Sequence, residues 1–304
     1  MLIDMNTTQP SSCLWILVSI VQRYYINRVI CFGFNVLIIL SSTILNATTA
    51  LAYWKSSQLR TKTSYFIIML MSSSDLGVGM ICEPLYSIIL MRAILGFESC
   101  SLTEAFLILT SAISGLSSSI LLVLTIERYL GIVYPLFHRN KVNKSKALKA
   151  VVFLWFISAT LCVVNFLDTK IGKLILGLSM SVNLTIIVSI YVKIFLIGRR
   201  TTLNNIPGSG ITQEKVFLRK IKLAKSCLLV VGCHFVYFLP LSMMPFLPRS
   251  PFIEIGWMWS TTLTFANSTL NSILFFWRNK ILRSEAKLIL RQTFQRFHMK
   301  VCNS

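Results

Sequence analysis

Acidic residues are scarce in this sequence, and charged residues of either sign are absent over long stretches. Only 10 of the 304 residues are Asp or Glu, against 30 Lys and Arg, while 55% of the residues are hydrophobic. A soluble domain of this length needs charged residues on every helix, so a soluble fold is excluded. The apolar stretches are continuous and about 20 to 25 residues long, which favours helices over alternating strands. The predicted fold class is an all-α membrane protein.

The sequence also lacks the residue patterns of an enzyme site. It has no glycine-rich phosphate loop, no His and Cys residues at metal-binding spacing, and no nucleophile next to a base. Its three histidines, His138, His234 and His298, are too widely separated to form a site. We therefore expect no catalytic residues, no enzymatic cofactor and no zinc-type metal site.

Cysteine is present, but few of the eight cysteines lie where a disulfide forms. Most fall within apolar stretches, where a thiol packs as a small hydrophobic group. Cys13 and Cys100 are the two expected outside the cell, so a bridge between them is a hypothesis. Cys302 near the C-terminus is a candidate for palmitoylation, with an unmodified thiol as the alternative.

The formal net charge of +20 does not indicate nucleic-acid binding, because the basic residues are distributed by side of the membrane. Seven apolar spans can be placed between Val29 and Trp277, and all but six of the Lys and Arg residues then lie on the inner side. The positive-inside rule places the N-terminus outside the cell and the C-terminus in the cytoplasm. The basic inner face should also attract anionic lipid head groups. On the outer segment, Asn6 begins a glycosylation sequon.

The predicted organisation is one membrane domain with two flanking segments. Residues 1–28 are the extracellular N-terminus, residues 29–277 the seven-span domain, and residues 278–304 a cytoplasmic tail. The apolar and basic residues of the tail have the spacing of an amphipathic helix that lies in the inner membrane interface.

One acid lies deep inside a predicted span. Asp75 would cost at least about 2.5–3.5 kcal/mol at the bilayer centre, so it should face the bundle and have polar partners. The candidate partners are Asn46, Ser117, Asn267, Ser268 and Asn271. The cluster either only joins the helices or forms a hydrated pocket for a small cation, and oxygen ligands alone suit sodium.

Two further features mark the inner end of span three and the middle of span six. Span three ends on Glu127-Arg128-Tyr129, which is either an interfacial anchor or a functional switch. In span six, Pro240 removes one backbone hydrogen bond and allows a bend, with His234 buried below it.

Together these residues resemble the rhodopsin-like (class A) G-protein-coupled receptors, over nearly the whole chain from about Val29 to Phe297. The marks, in order, are Leu45-Asn46, Ser74-Asp75-Leu76, Glu127-Arg128-Tyr129 with Tyr134-Pro135-Leu136, Trp155, Tyr191, Phe238-Leu239-Pro240, Asn267-Ser268 and Asn271.

The resemblance implies a multi-pass receptor of the plasma membrane. An extracellular ligand favours one packing of the bundle, span six swings about the hinge of His234, Phe238 and Pro240, and Arg128 engages a heterotrimeric G protein. Glu127, Tyr129 and Tyr191 accompany Arg128 in this switch. The resemblance also implies that the polar set around Asp75 is a sodium pocket that favours the inactive state.

The sequence departs from the family pattern at several positions. The family's Asn-Pro-x-x-Tyr of span seven is Asn271-Ser272-Ile273-Leu274-Phe275 here, and Lys220 and Lys222 stand where an acid usually opposes the arginine. Arg128 is then held mainly by Glu127, and we predict raised basal activity. The disulfide from span three to the second outer loop is missing. Melanocortin, lysophospholipid and cannabinoid receptors share this lack, which gives a faint resemblance to that subgroup.

The sequence excludes some classes of ligand and leaves others open. Span seven has no lysine for a retinal Schiff base, and the outer part of span three offers Thr110 but no aspartate for an amine. Glu83 and Glu104 near the outer ends of spans two and three could pair with a basic peptide, or with Arg92 and solvent. The short second outer loop equally suits a lipid.

Two alternatives come from other classes of protein. One is a transporter-like membrane protein, against which stand the odd span count and the lack of inverted repeats. The other is a non-signalling relative of the receptors, which the altered span seven would suit. Coupling to a G protein through Arg128 would distinguish a signalling receptor from both alternatives.

Overall fold

The computed structural model describes residues 25–97, 99–167, 171–203, 232 and 251–302. In these ranges the regular structure is helical, and no strand is present. The helices are α1 (Tyr25–Lys55), α2 (Ser57–Arg60), α3 (Thr63–Gly77), α4 (Glu83–Ile94), α5 (Cys100–Val133), α6 (Pro135–Lys141), α7 (Lys144–Leu167), α8 (Ile171–Leu203), α9 (Pro251–Arg278) and α10 (Lys280–Cys302).

Four segments of the described chain are long and apolar enough to cross a membrane, judged by length and composition. They are Tyr25–Lys55, Thr63–Ile94, Ser101–Val133 and Lys144–Val163, and a shorter apolar segment is Ser181–Ile197 in α8. Six of the seven predicted spans thus correspond to described helices, with α9 as the seventh span. The sixth span and its predicted hinge of His234, Phe238 and Pro240 lie outside the described residues.

The second span contains a π-helical turn, Val78–Cys82, between α3 and α4. Pro84 at the start of α4 explains it, because proline has no N–H and its ring clashes with the carbonyl four residues earlier. The N–H of Glu83 instead donates to the carbonyl of Val78, five residues back. The wider turn holds one extra residue, so the side chains of α4 are rotated relative to those of α3.

A close approach between α1 and the π-helical turn depends on Gly79. A Cβ atom at this position would lie 3.0 Å from Oγ of Ser42 and 3.1 Å from Oγ1 of Thr43. The missing side chain therefore lets the polar residues of α1 reach the middle of the bundle.

The apolar core has two clusters, one toward each end of the bundle. The cluster nearer α6 includes the fully buried Leu121, Leu124 and Ile187. The other is aromatic, and Tyr86 stacks on Phe106 with ring centroids 5.3 Å apart. Between the two clusters lies a layer of buried polar side chains, called the polar layer. It comprises Ser42, Asn46, Ser74, Asp75, Glu83, Ser268, Asn271 and Ser272.

Candidate functional site

Asp75 lies in the polar layer with an exposed fraction of 3%. Its Oδ2 accepts a hydrogen bond of 3.0 Å from Nδ2 of Asn271, which joins α3 to α9. No Lys, Arg or His lies within ion-pair distance of this carboxylate in the part of the chain that the structure describes. A neutral amide is therefore the one described donor to a buried acid.

Two of the predicted partners of Asp75 bind other residues. The amide of Asn46 donates to the carbonyl of Ser42, and its Oδ1 accepts a 2.6 Å bond from Ser272 of α9. The hydroxyl of Ser117 lies 2.8 Å from that of Ser74. These side chains line the polar layer beside Asp75 without a described hydrogen bond to it.

The oxygen atoms of this layer fit a small cation. Oδ1 of Asn267 and Oδ1 of Asn271 are buried and have no hydrogen-bond partner among the described residues. Amide and carboxylate oxygens are ligands for hard cations such as sodium. The described ranges contain no group of three or more His, Cys, Asp or Glu that could hold a metal, so the ligand set does not fit zinc.

The sequence predicts Glu83 near the outer end of span two, but the structure buries it completely in the polar layer. Its Oε1 lies 3.3 Å from Oγ of Ser268, one turn from Asn271 on α9. In a regular helix at about 100° per residue, Glu83 would lie about 80° away from the face of Asp75. The extra residue of the π-helical turn removes most of this offset. The eight residues from Asp75 to Glu83 then rotate the helix about as far as seven residues of a regular helix, which is nearly two full turns, so both side chains lie on the same face.

The other two predicted ligand contacts lie on α5. Glu104 and Thr110 are both half-buried, and Oγ1 of Thr110 has no hydrogen-bond partner in the described ranges. With Glu83 turned into the core, the three residues do not share one outer surface.

The acid that precedes Arg128 is held from three sides. Oε2 of Glu127 lies 3.6 Å from Nε of Arg128. Oε1 accepts a 2.7 Å bond from the hydroxyl of Ser64 in α3 and lies 2.8 Å from Nε2 of His138 in α6. Sequence reasoning missed Ser64 and His138. The signal for His138 was Pro135, which starts a short helix and turns the chain back under the end of α5.

The tyrosines assigned to the switch differ in their surroundings. Tyr191 of α8 has an exposed fraction of 2%, and its hydroxyl lies 3.5 Å from Oγ1 of Thr125. Tyr129 is half-buried, and its ring meets that of Tyr134 edge-on at 6.1 Å. Tyr191 thus belongs to the bundle core, next to the turn that carries Arg128.

Several predicted modification sites cannot be placed. Asn6 and Cys13 lie outside the described residues, and so do the side chains of Cys100 and Cys302. Of the cysteines assigned to apolar packing, Cys31 and Cys82 are buried and form no disulfide.

Comparison with known proteins gives one family and a consistent set of relatives. Residues 45–173 match the model of the 7 transmembrane receptor (rhodopsin family). The Adenosine receptor A2b of Bos taurus is 27% identical over 300 residues, covering 84% of this chain and 87% of that receptor. The A2b receptor of Canis lupus familiaris is 25% identical, covering 78% and 82%, and the A2a receptor of Homo sapiens is 22% identical, covering 81% and 68%. These matches do not confirm the resemblance to the melanocortin, lysophospholipid and cannabinoid subgroup.

The matched family segment contains both Asp75 and the Glu127–Arg128 pair, and the similarity to the Bos taurus receptor covers 84% of the chain. The all-α bundle is therefore a seven-transmembrane receptor of the plasma membrane, and it is not an enzyme. Neither the transporter nor the non-signalling relative is favoured. The chain is a rhodopsin-like (class A) G-protein-coupled receptor, which responds to an extracellular ligand and couples to a G protein.

Proposed function

We propose that Arg128 is the residue through which this receptor activates its G protein. The observation that carries the proposal is the 3.6 Å contact between Arg128 and Glu127, whose shorter contacts go to Ser64 and His138. Nε of Arg128 has no hydrogen-bond partner in the described ranges. This contact is longer than a hydrogen bond, so Glu127 holds the arginine less tightly than it holds Ser64 and His138.

Ligand binding shifts the receptor between two packings of the bundle. The ligand shifts them only by the difference between its affinities for the two states. If the arginine is weakly held, a small difference between these two affinities is enough to release it. A difference of about 1.4 kcal/mol in binding free energy already changes the ratio of the two states tenfold. The N-terminus lies outside the cell in this proposal, which the positions of the Lys and Arg residues support.

The test compares G-protein activation by the wild type and by Arg128→Ala in transfected cells, at matched surface expression and across the main G-protein classes. We expect basal and ligand-driven activation to vanish in Arg128→Ala. The matched control is Arg60→Ala, which removes an exposed arginine from α2 and should signal as the wild type does. An Arg128→Ala variant that signals normally would refute the proposal.

An uncharged ligand fits the chain better than a basic peptide. The burial of Glu83 removes one of the two acids expected to contact a peptide, and leaves Glu104. The relatives are named for adenosine, so a nucleoside is the first class to test, followed by lipids and peptides. Adenosine, a lysophospholipid and a basic peptide should be compared on the wild type and on Glu104→Gln. A response to the peptide alone, lost in Glu104→Gln, would favour the peptide.

Sodium is the proposed allosteric ion of the polar layer. Asp75, Asn267 and Asn271 would hold it, and its charge would balance the buried carboxylate. These residues tie α3 to α9, so occupancy would favour the inactive packing of the bundle.

Helix α10 is the proposed lipid-binding element. Its buried residues Leu282, Ala286 and Ile289 face the protein core, whereas the apolar Leu288 and Leu290 and the basic Lys287 and Arg291 are exposed. A helix with this division lies in the membrane interface with its basic residues near anionic head groups. The cytoplasmic tail would thereby be anchored without a further span.

A further inference from the structure

Glu83 is the least solvent-exposed acid in the described part of the chain. Its exposed fraction is 0%, against 3% for Asp75 and 5% for Glu127. Glu127 has an arginine and a histidine beside it, but no cationic side chain lies within 4.0 Å of Glu83 among the described residues. A carboxylate buried in a membrane protein is unfavourable unless positive charge or several hydrogen bonds compensate.

The carboxylate of Glu83 has few hydrogen-bond donors around it. Oγ of Ser268 lies 3.3 Å from Oε1 of Glu83, but the same hydroxyl lies 2.7 Å from the carbonyl of Phe265 and 2.8 Å from Oγ of Ser42. A serine hydroxyl has one proton, and the Phe265 carbonyl is the closer acceptor. Oε2 of Glu83 has no partner in the described ranges. The carboxylate therefore receives at most one long hydrogen bond.

A second acid, Asp75, adds another negative charge that no described cation compensates. Asp75 precedes Glu83 on the same span, on the face that the π-helical turn brings into line with Glu83, and Asn271 is the one described donor to Asp75. One turn outward, the hydroxyl of Ser87 is buried and also without a described partner. The layer thus contains two carboxylates, and no described Lys, Arg or His pairs with either of them. A small cation binds several oxygens at once and compensates both the charge and the missing donors.

We propose that Glu83, with the hydroxyls of Ser42 and Ser268, binds a small monovalent cation separately from Asp75. This inference rests on the proposed function, in which the polar layer holds sodium at Asp75. All the ligands are oxygen atoms, which selects sodium or lithium over transition metals. Ser42 belongs to α1, Glu83 to α4 and Ser268 to α9, so a cation at Glu83 joins three helices.

The test uses the thermal stability of the full-length receptor, purified in detergent without agonist. Sodium chloride is titrated against choline chloride at constant ionic strength, for the wild type, Glu83→Gln, Asp75→Asn and the double variant. The control is Glu285→Gln, which removes an acid from α10. This readout does not need signalling, so a failure of the Arg128 proposal and a failure of the Glu83 site are distinguishable.

We expect Asp75→Asn to keep a sodium-dependent rise in melting temperature, and the double variant to lose it. Glu83→Gln should lower the apparent sodium affinity by about tenfold, and Glu285→Gln should follow the wild type. If Glu83→Gln does not fold, Glu83→Asp keeps the charge and should respond to sodium with a shifted affinity.

Three results would overturn the proposal. The first is an unchanged sodium titration in Glu83→Gln, and the second is an Asp75→Asn variant with no sodium response left. The third is a pH-dependent change of stability that Glu83→Gln removes while the sodium response stays intact, because the occupant would then be a proton.

Discussion

Nε2 of His138 lies 2.8 Å from Oε1 of Glu127. His138 belongs to the short helix α6 and Glu127 to the end of α5, so the segment after the third span binds the acid that precedes Arg128. The hydroxyl of Ser64 donates to the same oxygen atom. The contact with Arg128, at 3.6 Å, is the longest of the three. These distances lead to two predictions about basal signalling.

The wild-type receptor should signal without a ligand. Arg128 has a long ion pair with Glu127, and lysines stand at the base of span six where an acid would oppose it. Basal second-messenger levels in transfected cells should exceed those of mock-transfected cells. Equal levels, at verified surface expression, would contradict the prediction.

Substitution of His138 by alanine should lower basal activity several-fold. Removal of His138 frees one side of the Glu127 carboxylate, which then pairs more closely with the neighbouring Arg128, because a buried charge left without its partner is costly. His138→Gln retains a donor and should stay near the wild type. Basal G-protein activation measures both. A rise in His138→Ala would mean that α6 itself restrains the receptor.

Alanine should be tolerated at Gly33 and not at Gly79. Both glycines are helical, so alanine gains up to about 1 kcal/mol of helix propensity at each. A Cβ at Gly33 meets no atom within 4 Å, but at Gly79 it would displace Ser42, which lies 2.8 Å from Ser268. Gly79→Ala should therefore melt at a lower temperature than Gly33→Ala in detergent. Equal melting temperatures would show that Ser42 moves at no cost.

Loss of the Ser272 hydroxyl should destabilise the receptor by about 1–3 kcal/mol, the cost of leaving a buried polar partner unsatisfied. Ser272 donates a 2.6 Å bond to Oδ1 of Asn46, and both residues are fully buried. The measurement is the melting temperature of Ser272→Ala. Ser284→Ala removes an exposed hydroxyl from α10 and should melt with the wild type. If both variants melt alike, the bond between α1 and α9 contributes nothing.

The sequence determined the class of protein and the membrane spans. Long uncharged stretches such as 105–126 can only be buried in lipid or in other helices, and the side of the Lys and Arg residues sets the predicted topology. The pairing of Asp75 with Asn271 was also predictable, since a buried acid needs a donor and few polar residues occur at that depth. The remaining partners were not, because a serine or asparagine in a membrane helix can bind its own backbone or another helix equally well.

The tertiary structure alone decided where Glu83 and His138 act. Periodicity at about 100° per residue assumes a regular helix, and the π-helical turn before Pro84 shifts every later side chain by one residue. His138 reaches Glu127 because α6 folds back on the end of α5, a contact between two helices that no repeat in the sequence encodes. The sequence could name the residues able to carry charge in the membrane. Their distances, and therefore which of them share a cation or a proton donor, depend on how the helices pack.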